Sequence, residues 1–131
     1  MLSEHERRSG AAPSRRVDKP WGHEIIWAHT PAYVGKVLVI EAGRRLSLQK
    51  HEIKDESILV VSGRLRLWME GDDGEVRTEE LGPGEARHVP TGRIHRYEAI
   101  ERCELMEVST PELDDVVRLE DDFGREGTSA P

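Results

Sequence analysis

Three residues in the stretch SLQKHEIKDE, 47–56, have types and spacing that could do chemistry: Gln49, His51 and Glu56. Gln49 and His51 stand two apart, so on an extended strand both side chains point to one face. Glu56 follows after a short loop. An amide oxygen, an imidazole and a carboxylate within reach of one another are ligands for a divalent metal. The same charged stretch also reads as an ordinary solvated turn. A metal site needs a fourth ligand from elsewhere in the chain, and so a fold that brings it there.

The elements that must do this are strands. KVLVIEAG, 36–43, is rich in β-branched residues and ends at a glycine. RLSLQKHE, 45–52, alternates, with Leu46, Leu48 and Lys50 on one face and Ser47, Gln49 and His51 on the other. SILVVSGRLRLWME, 57–70, reads as one long strand or as two broken at Gly63. GDDG, 71–74, is a turn, and VRTEEL, 76–81, returns antiparallel to close a hairpin. LGPGEARHVPTG, 81–92, is punctuated by Gly and Pro and leaves room only for short strands. HRYEAI, 95–100, and CELMEVST, 103–110, read as two further strands, and a short helical turn is expected near Leu113–Arg118. Many short strands with turn signals between them predict an all-β sandwich or barrel.

The 131 residues suffice for one domain with one hydrophobic core. Residues 1–16 lack apolar periodicity and are expected to be a disordered arm, 17–125 the domain, and 126–131 a flexible tail. A formal net charge of −7 argues against nucleic acid, whose phosphates need a basic surface. Cys103 is the sole cysteine, which excludes an internal disulfide. With no apolar run near bilayer length and no apolar signal core, the expectation is a cytoplasmic protein that does not bind membranes.

Two blocks now fall into register. The first runs Gly43, Gln49, His51, Glu56, Gly63, and the second runs Gly84, Pro90, Gly92, His95. They resemble the paired motifs of the cupin superfamily, with Gln49 where the first motif has its first histidine and Ala99 where the second ends in asparagine. The resemblance implies a double-stranded β-helix, a jelly-roll barrel in a single domain. It also implies that His95 joins Gln49, His51 and Glu56 as metal ligands. Two imidazoles, a carboxylate and an amide oxygen suit one divalent ion, with Zn the first choice and Fe, Mn, Co or Ni as others. His23, His29 and His88 lack such spacing and are expected to be structural or solvated.

KPWGHE, 19–24, and VVRLEDDFGR, 116–125, frame these blocks. The combination resembles the type II mannose-6-phosphate isomerase domain, also found behind guanylyltransferase domains in bifunctional enzymes. It implies an aldose–ketose isomerase acting on a small sugar phosphate, mannose 6-phosphate to fructose 6-phosphate, through a metal-stabilised enediolate. In that reading Arg118 and Lys54 are the catalytic candidates, Arg118 as a cation facing substrate. Lys19 and Glu107 are the substrate-binding ones, Glu107 toward sugar hydroxyls. A homodimer is expected by analogy with small cupins. The chain departs from the family at EIKDESI, 52–58, where the family often reads His-His-Arg-Ala-Glu-His-Trp, so that Lys54 stands at the arginine position, and at Ser109, a Gln in the family. Two other readings follow from the same residues: a non-catalytic metal-containing cupin that binds a sugar or other ligand, and a non-haem iron oxygenase using His51, His95 and Glu56.

Overall fold

The architecture is seen in a computed structural model that describes residues 14–128. Of the expected arm 1–13 lie outside them and of the expected tail 129–131 do, while Gly127 and Thr128 of that tail form a strand. Ten strands follow in order: β1 Arg15–Lys19, β2 Gly22–His29, β3 Val34–Ile40, β4 Leu48–Lys50, β5 Glu56–Glu70, β6 Val76–Leu81, β7 Ala86–Val89, β8 His95–Ser109, β9 Val117–Glu120 and β10 Gly127–Thr128. Among the described residues no helix is long and apolar enough to cross a membrane. β1 takes in Arg15 and Arg16, just ahead of the expected domain start.

All pairings are antiparallel. The sheet runs β1-β2-β3-β8-β4-β9-β10, and β5 pairs with β6, β7 and β8. Two 15-residue strands, β5 and β8, are the frame. Their mutual ladder slips register between Val60 and Leu65, at Gly63. Gly63 has φ +83°, and a Cβ there would lie 2.1 Å from the Arg102 carbonyl oxygen. Only glycine lets the two backbones approach this closely, and the resulting bulges bend both strands. HRYEAI and CELMEVST therefore form the single bent strand β8 rather than two strands, and 57–70 is likewise one strand.

The bend has a measurable consequence. A straight strand would set His95 and Glu107 roughly 40 Å apart. Yet His95 Nε2 lies 3.0 Å from Glu56 Oε1, while Glu107 reaches Lys54, itself 3.5 Å from the same carboxylate. The two ends of β8 thus face one another across a barrel. Its interior is apolar at one end: Leu38, Ile40, Ile58, Val60, Leu65, Leu67, Leu81, Val89, Ala99, Cys103 and Leu105 are all buried in one cluster. At the other end the inward positions change type, to Glu24, Lys36, Glu56, His95 and Glu107, all buried.

The closing segment differs from expectation. Leu113–Arg118 forms no helix: 113 and 114 make only a turn, and 117 and 118 belong to β9, which pairs with β4 and sets Arg118 opposite Gln49. Just before β9, the Asp115 carboxylate accepts the amide hydrogens of Glu52, Ile53 and Lys54, and the Asp115 carbonyl meets His51. β4 itself is only three residues long, interrupted by a register shift between Leu48 and Gln49.

Candidate metal centre and its cleft

β8 supplies His95 at its first position, β5 supplies Glu56 at its first position, and the end of β4 leads into His51. His51 Nε2 lies 3.1 Å and His95 Nε2 3.0 Å from the same atom, Glu56 Oε1. All three side chains are buried. Among the described residues these are the three His, Cys, Asp or Glu side chains whose ligand atoms cluster closely enough for a metal.

The far side of each ring tests whether a cation fits. His51 Nδ1 meets the Asp115 carbonyl oxygen, and His95 Nδ1 meets the Arg93 carbonyl oxygen at 2.9 Å. A carbonyl only accepts, so each Nδ1 carries the hydrogen, and in the neutral ring Nε2 presents a lone pair. Two lone pairs then face a carboxylate oxygen, an arrangement that a cation relieves. Metal-binding histidines characteristically donate their other N–H to a backbone carbonyl in this way. Atoms about 3 Å apart also match the spacing of ligands around a metal held at about 2.0–2.2 Å. The residues fit a divalent ion.

Gln49 is the direct cross-strand partner of His95, and its Oε1 accepts a hydrogen bond from Ser47 Oγ at 2.8 Å. It is half-buried and lines the same cleft.

Hydrogen bonds from two other segments hold the loop between His51 and Glu56. The second block secures its carbonyls: Gly92 N donates to His51 O at 2.8 Å, and Thr91 Oγ1 donates to the carbonyls of Ile53 and Lys54. Gly92 adopts φ +83°, the left-handed conformation that turns its amide toward the loop. The spacing of the second block thus both delivers His95 and seats the loop that positions Glu56.

Lys54, buried in this loop, sits 3.5 Å from both Glu56 Oε2 and Glu107 Oε2. Burial acts to lower its pKa, but the two carboxylates outweigh it and raise it. Burial pushes the Glu56 carboxyl up, yet the Lys54 charge, first among the opposing causes, holds it well below the usual range. Glu107 is pushed up to about 8, chiefly by burial and then by the Glu56 charge. Burial, then the charges of Glu56 and Glu107, raise the Tyr97 phenol.

Around the triad lies a cleft lined by Lys19, Lys36, Lys54, Arg118 and Arg125, with Glu24 and Glu107 as its acids. Burial lowers the Arg118 pKa, and so does neighbouring Arg125; burial and then the charges of Lys36, Arg118 and Arg125 lower that of Lys19, against Glu24. Asp121 anchors Arg125 from the same segment, at 2.8 Å to Nε. Glu24 and Lys36 pair at 3.4 Å, almost fully buried, and Lys36 lies across the ladder from Glu107.

The structure brings together Lys19, Gln49, His51, Lys54, Glu56, His95, Glu107 and Arg118 at one end of the barrel. Lys54 reaches toward the carboxylates at the centre. His88 is exposed and pairs with Asp55 at 2.7 Å, apart from the triad. Sequence reasoning missed Glu24, Lys36, Arg125 and Asp115. A signal existed for Lys36: it is a charge at an inward position of a strand otherwise apolar, in period with Val34, Leu38 and Ile40.

Comparison with known proteins agrees with this geometry. The family model described as mannose-6-phosphate isomerase C-terminal matches residues 6–121. The mannose-1-phosphate guanylyltransferase ManC of Salmonella typhimurium is 34% identical over 116 residues, covering 85% of this chain and 23% of that protein. The chain thus spans about a quarter of the length of the curated relatives it matches. KdgF from Halomonas sp. superposes with a TM-score of 0.65 at 25% identity, covering 75% of this chain and 88% of its own. Bacillus subtilis oxalate decarboxylase, a protein with Mn(II) centres, superposes at 0.69 with 21% identity over 80% of this chain and 30% of its own. The fold is the cupin barrel that the two spaced blocks implied.

Proposed function

This chain belongs to the mannose-6-phosphate isomerase C-terminal family, and from that premise we propose that it is a metal-dependent isomerase interconverting mannose 6-phosphate and fructose 6-phosphate. The observation that carries the reading is the pairing, in one cleft, of a metal-competent triad with a wall of cations. His51, Glu56 and His95 would hold the ion, with the Gln49 amide beside them. A bound divalent cation supplies a Lewis acid for the sugar oxygens at C1 and C2.

The chain's own residues do the rest. Lys19, Arg118 and Arg125 take the phosphate, for which guanidinium groups offer paired donors. Glu107 lines the cleft beside the triad without belonging to it, and is the carboxylate placed to carry a proton between C2 and C1. Lys54, held by Glu56 and Glu107, fixes both carboxylates and offsets the charge that develops when the C2 proton leaves. The buried Glu24–Lys36 pair completes the floor and excludes water from it.

Steady-state conversion of mannose 6-phosphate, with Zn, Mn, Co, Fe and Ni each supplied, tests the proposal. Turnover with at least one ion is the expected result, and none with any would refute it. One observation favours a second reading: Lys54 is committed to the carboxylates beside the ion, at the position where the family carries arginine. A binding module would take a sugar phosphate tightly in thermal-shift titration and never turn it over.

A further inference from the structure

The loop that separates His51 from Glu56 is gripped by a residue with no part in the chemistry above. The amide hydrogens of Glu52, Ile53 and Lys54 all point at the carboxylate of Asp115, at 3.1, 2.7 and 2.8 Å. The Asp55 amide donates to Thr110 Oγ1 at 3.0 Å, and Thr110 N donates back to the Asp55 carbonyl at 3.0 Å. Every amide of the loop from 52 to 55 is therefore taken by the closing segment. The carbonyl oxygen of the same Asp115 accepts the Nδ1–H of His51. Leu113, Val116 and Arg118, close by in that segment, wall the cleft.

One residue thus touches a ligand, the ligand loop and the substrate wall. We infer that Asp115 is a positioning residue that couples metal binding to the seating of segment 110–118 over the cleft. An ion bound at the triad fixes the His51 ring. The ring fixes the Asp115 backbone, and the Asp115 carboxylate holds the loop that sets Glu56. By linkage, whatever the metal adds to the stability of the seated segment, the seated segment returns as metal affinity. The inference rests on reading the triad as a metal site.

The test pairs Asp115→Asn with Asp114→Asn, an identical change at the exposed neighbour. Asn keeps one acceptor oxygen, and its NH2 would face a backbone N–H. Zn²⁺ affinity is measured by chelator competition, the visible spectrum with Co²⁺, and hydrogen exchange of 110–118 in wild type with and without Zn²⁺. Asp115→Asn should weaken Zn²⁺ by about 10–100-fold, the usual cost of losing a group that orients a metal ligand. It should also shift the Co²⁺ spectrum, whereas Asp114→Asn should do neither. Zn²⁺ should slow exchange of 110–118 in wild type, a measurement that holds even if Asp115→Asn fails to fold. Metal-bound wild type whose 110–118 exchange ignores Zn²⁺, or an Asp115→Asn protein with unchanged affinity and spectrum, overturns the coupling. Wild type that binds no metal overturns the triad reading itself.

Discussion

Glu56 is the residue on which the site converges, since one of its oxygens faces two imidazoles and the other a buried lysine. His51→Ala and His95→Ala each remove a proposed ligand but leave that carboxylate paired to Lys54. Both variants should keep their circular dichroism and lose their metal after dialysis, as read by elemental analysis; metal retained by either would exclude it as a ligand. A second prediction concerns acid stability. Burial acts to raise the Asp121 carboxyl, but Arg125 and backbone hydrogen bonds outweigh it, so the folded pKa lies below 3.8. A depressed carboxylate stabilises the fold above its unfolded pKa, and that contribution fades as pH falls through the folded value. Asp121→Asn should therefore flatten the acid limb of stability below about pH 4 in urea unfolding, and an unchanged limb would contradict the assignment. At this scale the candidate triad was legible because glycines held its residues in a spaced register. Glu24, Lys36 and Asp115 were not, because strand pairing or a distant loop, rather than local spacing, brings them to the cleft.

Strands β5 and β8 decide whether the site exists, because their shared bend brings the two ends of β8 to one place. Gly63 permits that bend. Gly63→Ala combines a left-handed φ with a backbone clash and should cost about 3 kcal/mol or more, measured by denaturant unfolding. Gly74→Ala, at φ +81° in open space, should cost only about 1 kcal/mol. Equal losses would mean that close approach at Gly63 contributes nothing. Gly63 marked either a break or a bend in 57–70, which look alike in sequence, and β8 read as two strands because the charged pair Glu101–Arg102, with Arg102 against Gly63, interrupts its apolar alternation. The closing segment read as a helical turn because its sequence is charged and helix-compatible. Instead its last residues pair with β4, and its Asp115 side chain holds the 52–54 amides. The barrel class was legible, since alternation and turns occur wherever ladders are regular.

Over the whole molecule, an acidic chain places five cations around one cleft. Such a site selects an anionic ligand while the remaining surface repels polyanions. Arg118 and Lys19 on one wall imply that substrate binding falls with ionic strength. Arg118→Met should raise KM for mannose 6-phosphate about tenfold or more, the scale of a lost hydrogen bond to a charged group. An unchanged KM would remove Arg118 from the phosphate site. The central claim, proton transfer between C2 and C1 of a sugar phosphate beside a bound metal, is tested most directly by NMR. Mannose 6-phosphate is incubated with metal-loaded protein in D2O, and the C1 and C2 protons are followed. Fructose 6-phosphate should form, with exchange at the transferred position where the carrying group meets solvent, and both should vanish in the His95→Ala protein. Signals of mannose 6-phosphate that stay unchanged with every metal supplied would contradict the account.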